Sequence, residues 1–196
     1  MDTINNYTKP QAMDKAFKTA FEGETNRFCC SQETFHAVSS ILGFKNQLLF
    51  KFLSAFEGGS AIMTTGNCGA FSAGLAVFSY FFGRSYELWE KKEMDCKSSY
   101  LGQELYKRFQ DEHGSIICKD ILKNIFGRTF DFNKEDELAC YEEMGGHAFV
   151  CPTICGLSAA WTIDLIWDEI PKDIDLAGIP DRSDALQKLR KMRQAD

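Results

Sequence analysis

The sequence contains only 4 prolines among 196 residues, and its 28 acidic residues outnumber its 22 basic ones. The net charge of −6 is opposite in sign to that of a general nucleic-acid-binding protein, which neutralises phosphates with lysine and arginine. A negative chain is equally unsuited to electrostatic attraction by anionic lipids. We therefore expect neither nucleic acid nor a membrane as a partner.

The sequence also lacks the features that are typical of an exported or membrane-spanning chain. Its first residues contain neither the basic segment nor the apolar segment of an export signal. The most apolar stretch, residues 71–82, is interrupted by Ser72, Gly74 and Ser79 and is too short to span a bilayer. We expect this stretch to form a buried helix, and we expect the protein to be cytoplasmic.

Cysteine is abundant, with 8 residues, but the common local cysteine motifs are absent. Without a Cys-x-x-Cys pair, the chain has neither a thioredoxin-type active site nor the paired ligands of a typical zinc site. Without Cys-x-x-Cys-His, it has no c-type haem attachment site. In a reducing cytoplasm, such cysteines more often bind metal or carry out redox chemistry than form structural disulfides. Any shared site must therefore be assembled by folding.

Apolar residues recur at helical spacing along the chain, and no convincing alternating strand pattern accompanies them. The 17 phenylalanines favour helices that pack through bulky side chains. We predict an all-α fold: a helical bundle of about six to eight helices with an appended helix at each end. The cysteine-bearing domain should occupy residues 1–170, with a core at about 26–169. A linker and a short basic helix should follow within residues 171–196.

The two appended helices are predicted at residues 10–22 and 183–193, and Gly23 should end the first of them. Each helix has an apolar stripe, and a lone amphipathic helix of about a dozen residues is marginal in water. Each stripe must therefore be covered, either by its own bundle or by a second subunit. We favour a homodimer, because closed twofold dimers are the commonest assembly.

Four of the cysteines are placed at the predicted beginnings of helices: Cys30, Cys68, Cys118 and Cys151. Cys151 precedes Pro152, and proline is a preferred first residue of a helix. Free N–H groups and the positive end of the helix dipole favour a thiolate there, and they would also stabilise an anionic iron–sulfur cluster. We expect a lowered thiol pKa at Cys151, and faster alkylation there than at Cys96 or Cys140.

These positions also carry a resemblance to a known family. The segments that carry it are Cys30-Ser31-Gln32, the Gly58-Gly59 pair leading to Asn67-Cys68-Gly69-Ala70 and Gly74, Cys118-Lys119-Asp120-Ile121-Leu122, and Cys151-Pro152-Thr153-Ile154. Together they resemble the C_GCAxxG_C_C family of redox-active proteins over roughly residues 26–169. This chain departs from the named pattern in having Asn67 before Cys68 and Gly69 before Ala70. The resemblance implies a cytoplasmic helical domain, common in anaerobes, with a redox or metal-centre role.

Our leading hypothesis is electron transfer or redox sensing through an iron–sulfur cluster with Cys30, Cys68, Cys118 and Cys151 as ligands. Zinc is less expected, because its usual sites use paired local ligands. Three residues are possible additional ligands: Cys29, Cys155 and His147. Side chains one position apart on a helix diverge, which counts against Cys29 beside Cys30.

Two alternatives to a metal centre remain open at this stage. A subset of the cysteines could carry out thiol–disulfide exchange, or the chain could be a helical binding module with inert, buried cysteines. The sequence does not decide whether the protein is an enzyme. A redox protein would need a partner protein, and the sequence does not identify it.

Overall fold

The computed structural model describes residues 4–170, and nine α-helices make up most of this part of the chain. They are α1 (Lys9–Arg27), α2 (Cys30–Ile41), α3 (Gln47–Leu53), α4 (Gly69–Phe82), α5 (Tyr86–Glu90), α6 (Lys97–His113), α7 (Cys118–Phe126), α8 (Glu135–Glu143) and α9 (Cys151–Ile166). Short 3₁₀ segments occupy Ile4–Asn6 and Ser54–Phe56, and a π-helical turn, Gly146–Val150, leads into α9. No strand lies within residues 4–170, and the all-α prediction is confirmed.

The last helix of the described residues, α9, lies at the centre of the bundle. It packs against α1, α2, α4 and α6. Together with the preceding π-helical turn it forms an apolar helix, Gly146–Ile166, that by length and composition could cross a membrane. Half of its most apolar window is buried inside the bundle. A helix surrounded by other helices must be apolar on most of its faces, so its position in the core accounts for this composition.

Helix α1 extends beyond the end that the sequence predicts, because Gly23 does not terminate it. The helix continues to Arg27. A Cβ atom at position 23 would lie 2.1 Å from Oε2 of Glu33 in α2. Glycine is therefore needed for the close approach of α1 and α2, and the prediction of a helix end at Gly23 is wrong. The additional turn places Glu24 in the helix, where it is buried.

Helix α1 is part of the bundle, and the prediction of an appended N-terminal helix is wrong. Its alanine stripe, Ala12, Ala16 and Ala20, is completely buried. Its most extensive contacts are with α9, where a Cβ atom at Gly156 would lie 2.7 Å from the ring of Phe17. Small residues on both helices allow this approach, so the bundle itself covers the stripe.

This packing removes one of the two reasons for expecting a homodimer. The stripe of α1 is covered by its own bundle, and a second subunit is not needed to bury it. The other reason, the helix predicted at residues 183–193, lies outside the described residues, as does the linker predicted within 171–196. The homodimer and the boundary at residue 170 therefore stay predictions.

Helix α4 meets both α6 and α9 at Gly74. A Cβ atom there would lie 2.4 Å from Cδ2 of Leu105 and 2.8 Å from Oγ1 of Thr162. We expect Gly74→Val to lower the free energy of unfolding by about 1–3 kcal/mol, because three extra carbons would overpack this junction. Urea denaturation followed by circular dichroism measures the change.

The matched control for this prediction is Ser79→Val, on an exposed position of the same helix. It should change the free energy of unfolding only by the small difference in helix propensity. Equal stability of the Gly74→Val and Ser79→Val proteins would contradict the close packing of α4 against α6 and α9 at Gly74.

Candidate functional site

A cavity of about 300 Å³ collects side chains from distant parts of the chain. Five cysteines line it: Cys29, Cys30, Cys68, Cys118 and Cys151. The four that the sequence singles out as ligands are 33 to 50 residues apart from one to the next, and the fold brings all four to this cavity. Lining a common cavity is necessary for a shared site, but their role as ligands stays a prediction.

Three of the four cysteines lie where a helix begins after non-helical backbone. Cys30 and Cys118 are the first residues of α2 and α7, and Cys68 immediately precedes α4. Cys151 differs, because Val150 before it already has helical backbone angles and belongs to the π-helical turn. Cys151 is therefore the first residue of α9, but it does not lie at a free helix terminus as the sequence predicts. The turn starts after Gly145, whose positive φ of 86° is readily adopted only by glycine.

Backbone hydrogen bonds hold Cys68 and Cys118 next to each other. The N–H group of Cys68 donates to the carbonyl oxygen of Ile116 at 2.7 Å, and that of Cys118 donates to Gly66 at 3.0 Å. These bonds form an isolated antiparallel bridge between Asn67 and Ile117. Two helices that are far apart in sequence thus begin at the same place.

The turn between α1 and α2 brings both Cys29 and Cys30 to the cavity. Phe28 and Cys29 have φ values of 61° and 68°, a left-handed region that residues other than glycine rarely adopt. Cys29 precedes α2 and is not part of it. The expected divergence of neighbouring helical side chains therefore does not apply, and Cys29 lines the cavity beside Cys30.

Two glycines from the family-like segments press directly against the cysteines. A Cβ atom at Gly69 would lie 2.5 Å from Sγ of Cys30, and one at Gly59 would lie 2.6 Å from Cβ of Cys118. Any larger residue at either position would displace a cysteine side chain. These glycines therefore set the distance between the chain segments that surround the cavity.

A family model described as "Putative redox-active protein (C_GCAxxG_C_C)" matches residues 28–165 of the chain. The chain belongs to this C_GCAxxG_C_C family. The matched residues include all four predicted cysteine ligands and both glycines that press against them. No curated protein and no solved structure is significantly similar to the chain.

In this C_GCAxxG_C_C protein, burial dominates the acidity of the cysteine thiols. It raises the pKa of Cys68 to about 11, although hydrogen bonds from the N–H groups of Phe71 and Ala70 at the start of α4 act to lower it. Burial likewise raises the pKa of Cys151 well above its usual value. The expected lowering of the Cys151 pKa is therefore wrong, because desolvation of a buried thiolate outweighs the effect of a helix terminus.

Glu24 is a cavity residue that the sequence analysis missed. Its side chain is only 2% exposed, and its Oε2 atom has no hydrogen-bond partner among the described residues. Burial, followed by repulsion from Glu33 and Glu57, raises the pKa of this carboxyl group to about 8. The sequence contains a signal for the burial of Glu24, because this residue continues the four-residue spacing of the buried alanine stripe of α1. Predicting a helix end at Gly23 concealed that signal.

Tyr141 is a second cavity residue that the sequence analysis missed. It is completely buried, and three phenylalanine rings pack edge to face against it: Phe126, Phe130 and Phe132. Its hydroxyl group donates a hydrogen bond to Sγ of Cys151 at 2.8 Å. The surrounding rings thus fix a hydrogen-bond donor on one of the predicted ligands.

The possible additional ligands have different positions. His147 lines the cavity, where its ring lies against Tyr141 and Phe28 and its Nδ1 atom contacts Glu142. Cys155 is buried in the core, with Sγ 3.8 Å from the carbonyl oxygen of Cys30, and it is not among the residues that line the cavity. Together with Cys29, these residues stay candidates for the role.

The two cysteines that the sequence analysis set aside lie away from the cavity. Cys96 precedes α6. Cys140 lies on α8 near Arg128 and Met144. Neither is among the residues that line the cavity. Both are partly exposed, as are Cys29 and Cys151 at the cavity, whereas Cys30, Cys68 and Cys118 are buried.

The thiols surround the cavity without converging on a single point. Within residues 4–170, no three histidine, cysteine, aspartate or glutamate side chains are positioned to hold one metal ion. No lysine or arginine is among the described residues that line the cavity. The chemistry of the donor set, thiols with a carboxyl group, nevertheless fits a cationic metal centre with several attachment points.

The buried thiols of the metal-free, reduced protein should resist alkylation. We expect Cys30 and Cys151 to react with iodoacetamide at pH 8 at least tenfold more slowly than Cys96 and Cys140. Desolvation raises the pKa of the first two thiols, so that little reactive thiolate is present. Cys30 is in addition buried from the reagent, and the Cys151 thiol accepts a hydrogen bond from Tyr141. Peptide mapping by mass spectrometry measures each rate, and denatured protein provides the accessible reference. Faster reaction at Cys151 than at Cys96 would contradict the raised pKa.

Proposed function

We propose that this protein is an electron-transfer or redox-sensing protein whose metal centre, an iron–sulfur cluster, is held by Cys30, Cys68, Cys118 and Cys151. The observation that carries the proposal is the arrangement of these four cysteines around one cavity. Cysteine thiolates are the usual ligands of iron–sulfur clusters. Membership of a redox-active family agrees with this function but does not specify the centre.

The acidic groups around the cavity suit the cationic core of a metal centre. Burial is the main cause of the raised pKa at Cys30, and Glu24, Cys68 and Cys151 contribute further. Each of these neighbours is an acid, so ionisation of one opposes ionisation of the others. A bound metal centre would reverse this situation, because it binds thiolates directly and compensates their negative charge.

A cluster demands less convergence of the thiols than a single ion does. A single zinc ion requires four ligand atoms converging on one point, and the thiols are not placed in that way. In a cluster, cysteines bind different iron atoms, so their sulfurs remain further apart. An iron–sulfur cluster would supply one-electron redox chemistry at this position.

Several groups of the chain can stabilise negative charge on the ligand sulfurs. The N–H groups of Ala70 and Phe71 interact with Cys68, and the N–H group of Gly58 interacts with Cys30. The Tyr141 hydroxyl group donates to Cys151. Hydrogen bonds of this kind favour the more negative, reduced state and therefore raise a reduction potential.

The thiol–disulfide alternative receives less support. A thiol that starts exchange must form an accessible thiolate at neutral pH. Burial raises the pKa of the cavity cysteines and works against this requirement. A binding module with inert cysteines agrees with the burial, but it gives no reason for four cysteines to share one cavity.

The location and partners follow from the proposed redox role. Because the long apolar helix Gly146–Ile166 packs at the centre of the bundle, the fold is compatible with a soluble protein, and we place the protein in the cytoplasm. The redox partner would approach the side of the cavity where Phe28 is 50% exposed and Ile62 is 39% exposed. Electron transfer across this rim needs no nucleic acid and no membrane.

Anaerobic reconstitution with ferrous iron and sulfide tests the metal centre. We expect the wild-type protein to turn brown and to retain iron and acid-labile sulfide after desalting. Replacing any one of the four predicted ligands by serine should remove at least half of the retained iron, because each cysteine supplies one attachment point. Metal and sulfide analysis with visible absorption measures the loss.

Cys96→Ser is the matched control, since Cys96 lies away from the cavity. It should retain wild-type iron, and circular dichroism should show that every variant is folded. A wild-type protein that stays colourless and free of iron would contradict the proposal. Loss of free thiols in pairs under mild oxidation would instead support thiol–disulfide exchange.

The hydrogen bond from Tyr141 gives a second test. We expect Tyr141→Phe to lower the reduction potential of the reconstituted centre by on the order of 50 mV, because a donor to Cys151 is lost while the ring is retained. Redox titration followed by visible absorption measures the shift. Tyr106→Phe, an exposed tyrosine on α6, is the control. If Tyr141→Phe left the reduction potential unchanged, the Tyr141 hydroxyl group would not stabilise an iron ligand at Cys151.

A further inference from the structure

Glu24 has the position of a ligand, and its Oε2 atom has no hydrogen-bond partner among residues 4–170. Its side chain lines the same cavity as Cys30, Cys68 and Cys151. It is 2% exposed, and its Oε2 atom is buried without a hydrogen bond. Buried polar atoms in native proteins are nearly always hydrogen-bonded, so an exception of this kind calls for a bound group that satisfies it.

The nearest base in the same helix does not neutralise Glu24. Arg27, less than one turn later, makes a two-point contact with Glu33, with Nε to Oε1 at 2.9 Å and Nη2 to Oε2 at 2.6 Å. Glu24 therefore belongs to no described salt bridge within residues 4–170. A carboxylate that only shaped the fold would be expected to share this arginine or to be replaced by an apolar side chain.

Several acids of the cavity interact electrostatically with Glu24, and these include three of the cysteines. Glu24 is among the causes of the raised pKa at Cys30, Cys68, Cys151 and Tyr141. It is therefore close to cysteines that come from α2, α4 and α9. A cation bound among these thiols would also lie within reach of the carboxyl group.

We infer that Glu24 supplies an oxygen ligand to the metal centre, which is then held by a mixed set of cysteine sulfurs and one carboxylate. This inference rests on the proposed function, because it adds a ligand to the centre proposed there. Iron binds both thiolate sulfur and carboxylate oxygen, and the oxygen is the harder ligand of the two. The centre therefore contains an iron site that differs electronically from sites bound by thiolates alone.

Anaerobic reconstitution with ferrous iron and sulfide, followed by Mössbauer spectroscopy, tests this inference. Three proteins are compared: wild type, Glu24→Gln and Glu22→Gln. Glu22 lies on the same helix and is exposed, so it carries the same chemical change outside the cavity. Wild type and Glu22→Gln should both show a component with a higher isomer shift than the all-thiolate iron, as expected for an oxygen ligand.

Glu24→Gln should lose this component, either by changing its spectrum or by losing the corresponding iron. An unchanged spectrum and iron content in Glu24→Gln would overturn the inference but leave the cysteine-bound centre standing. Absence of iron from all three proteins would overturn the proposed function and the inference with it. The three results are therefore distinguishable.

The unfolding of the metal-free proteins separates a ligand from a structural residue. Replacing Glu24 by glutamine breaks no described hydrogen bond of Oε2 and no described salt bridge. Metal-free Glu24→Gln should therefore unfold at the same urea concentration as wild type or at a higher one. A marked fall in the urea midpoint would indicate a structural role and would overturn the inference. Glu24→Asp, which keeps a carboxylate on a shorter side chain, should retain an oxygen-ligated iron component that Glu24→Gln lacks.

Discussion

The desolvation of acidic groups around one cavity is the constraint on which the rest of this structure depends. Glu24 and the cavity cysteines are removed from water, and burial is the first cause of the raised pKa at each of them. The metal-free site is therefore most stable with its acids protonated. Any cation that binds there must displace protons, which makes its affinity dependent on pH. This coupling explains why such a buried arrangement suits a resident centre better than a freely reactive thiol.

The helical bundle produces the cavity through a few close approaches. Gly23 allows α1 to approach α2, and this contact places Glu24 against the start of α2. The bridge between Asn67 and Ile117 holds the start of α4 against the start of α7. Helix α9 supplies Cys151 from the centre of the bundle. A helix appended at the periphery could not contribute to the cavity as α1 does, since Glu24 in its last turn and Phe28 directly after it line the cavity.

The sequence correctly predicted the features that depend on local patterns of residues. Spacing gave the all-α fold, and the positions of Cys30, Cys68 and Cys118 at helix starts followed from nearby glycine and polar residues. The order of the cysteine segments gave the family. The errors at Gly23 and Cys151 have a different origin: the close approach of Glu33 and the π-helical turn before Cys151 both depend on tertiary packing. Burial, which decides the thiol pKa, also cannot be derived from spacing along one helix.

The N–H groups at the helix starts can still stabilise negative charge on the cysteine sulfurs, but only when the thiols are ionised. In the metal-free protein, the N–H groups of Ala70 and Phe71 fail to offset the desolvation of Cys68, and its pKa stays high. Once a cation compensates the thiolate, the same groups act on a negative sulfur in a medium of low dielectric constant, where a hydrogen bond is strong. The Tyr141 hydroxyl group then acts on Cys151 in the same way. Burial thus suppresses the thiolates while the cavity is free of metal, and it strengthens the hydrogen bonds to their sulfurs when a metal centre is bound.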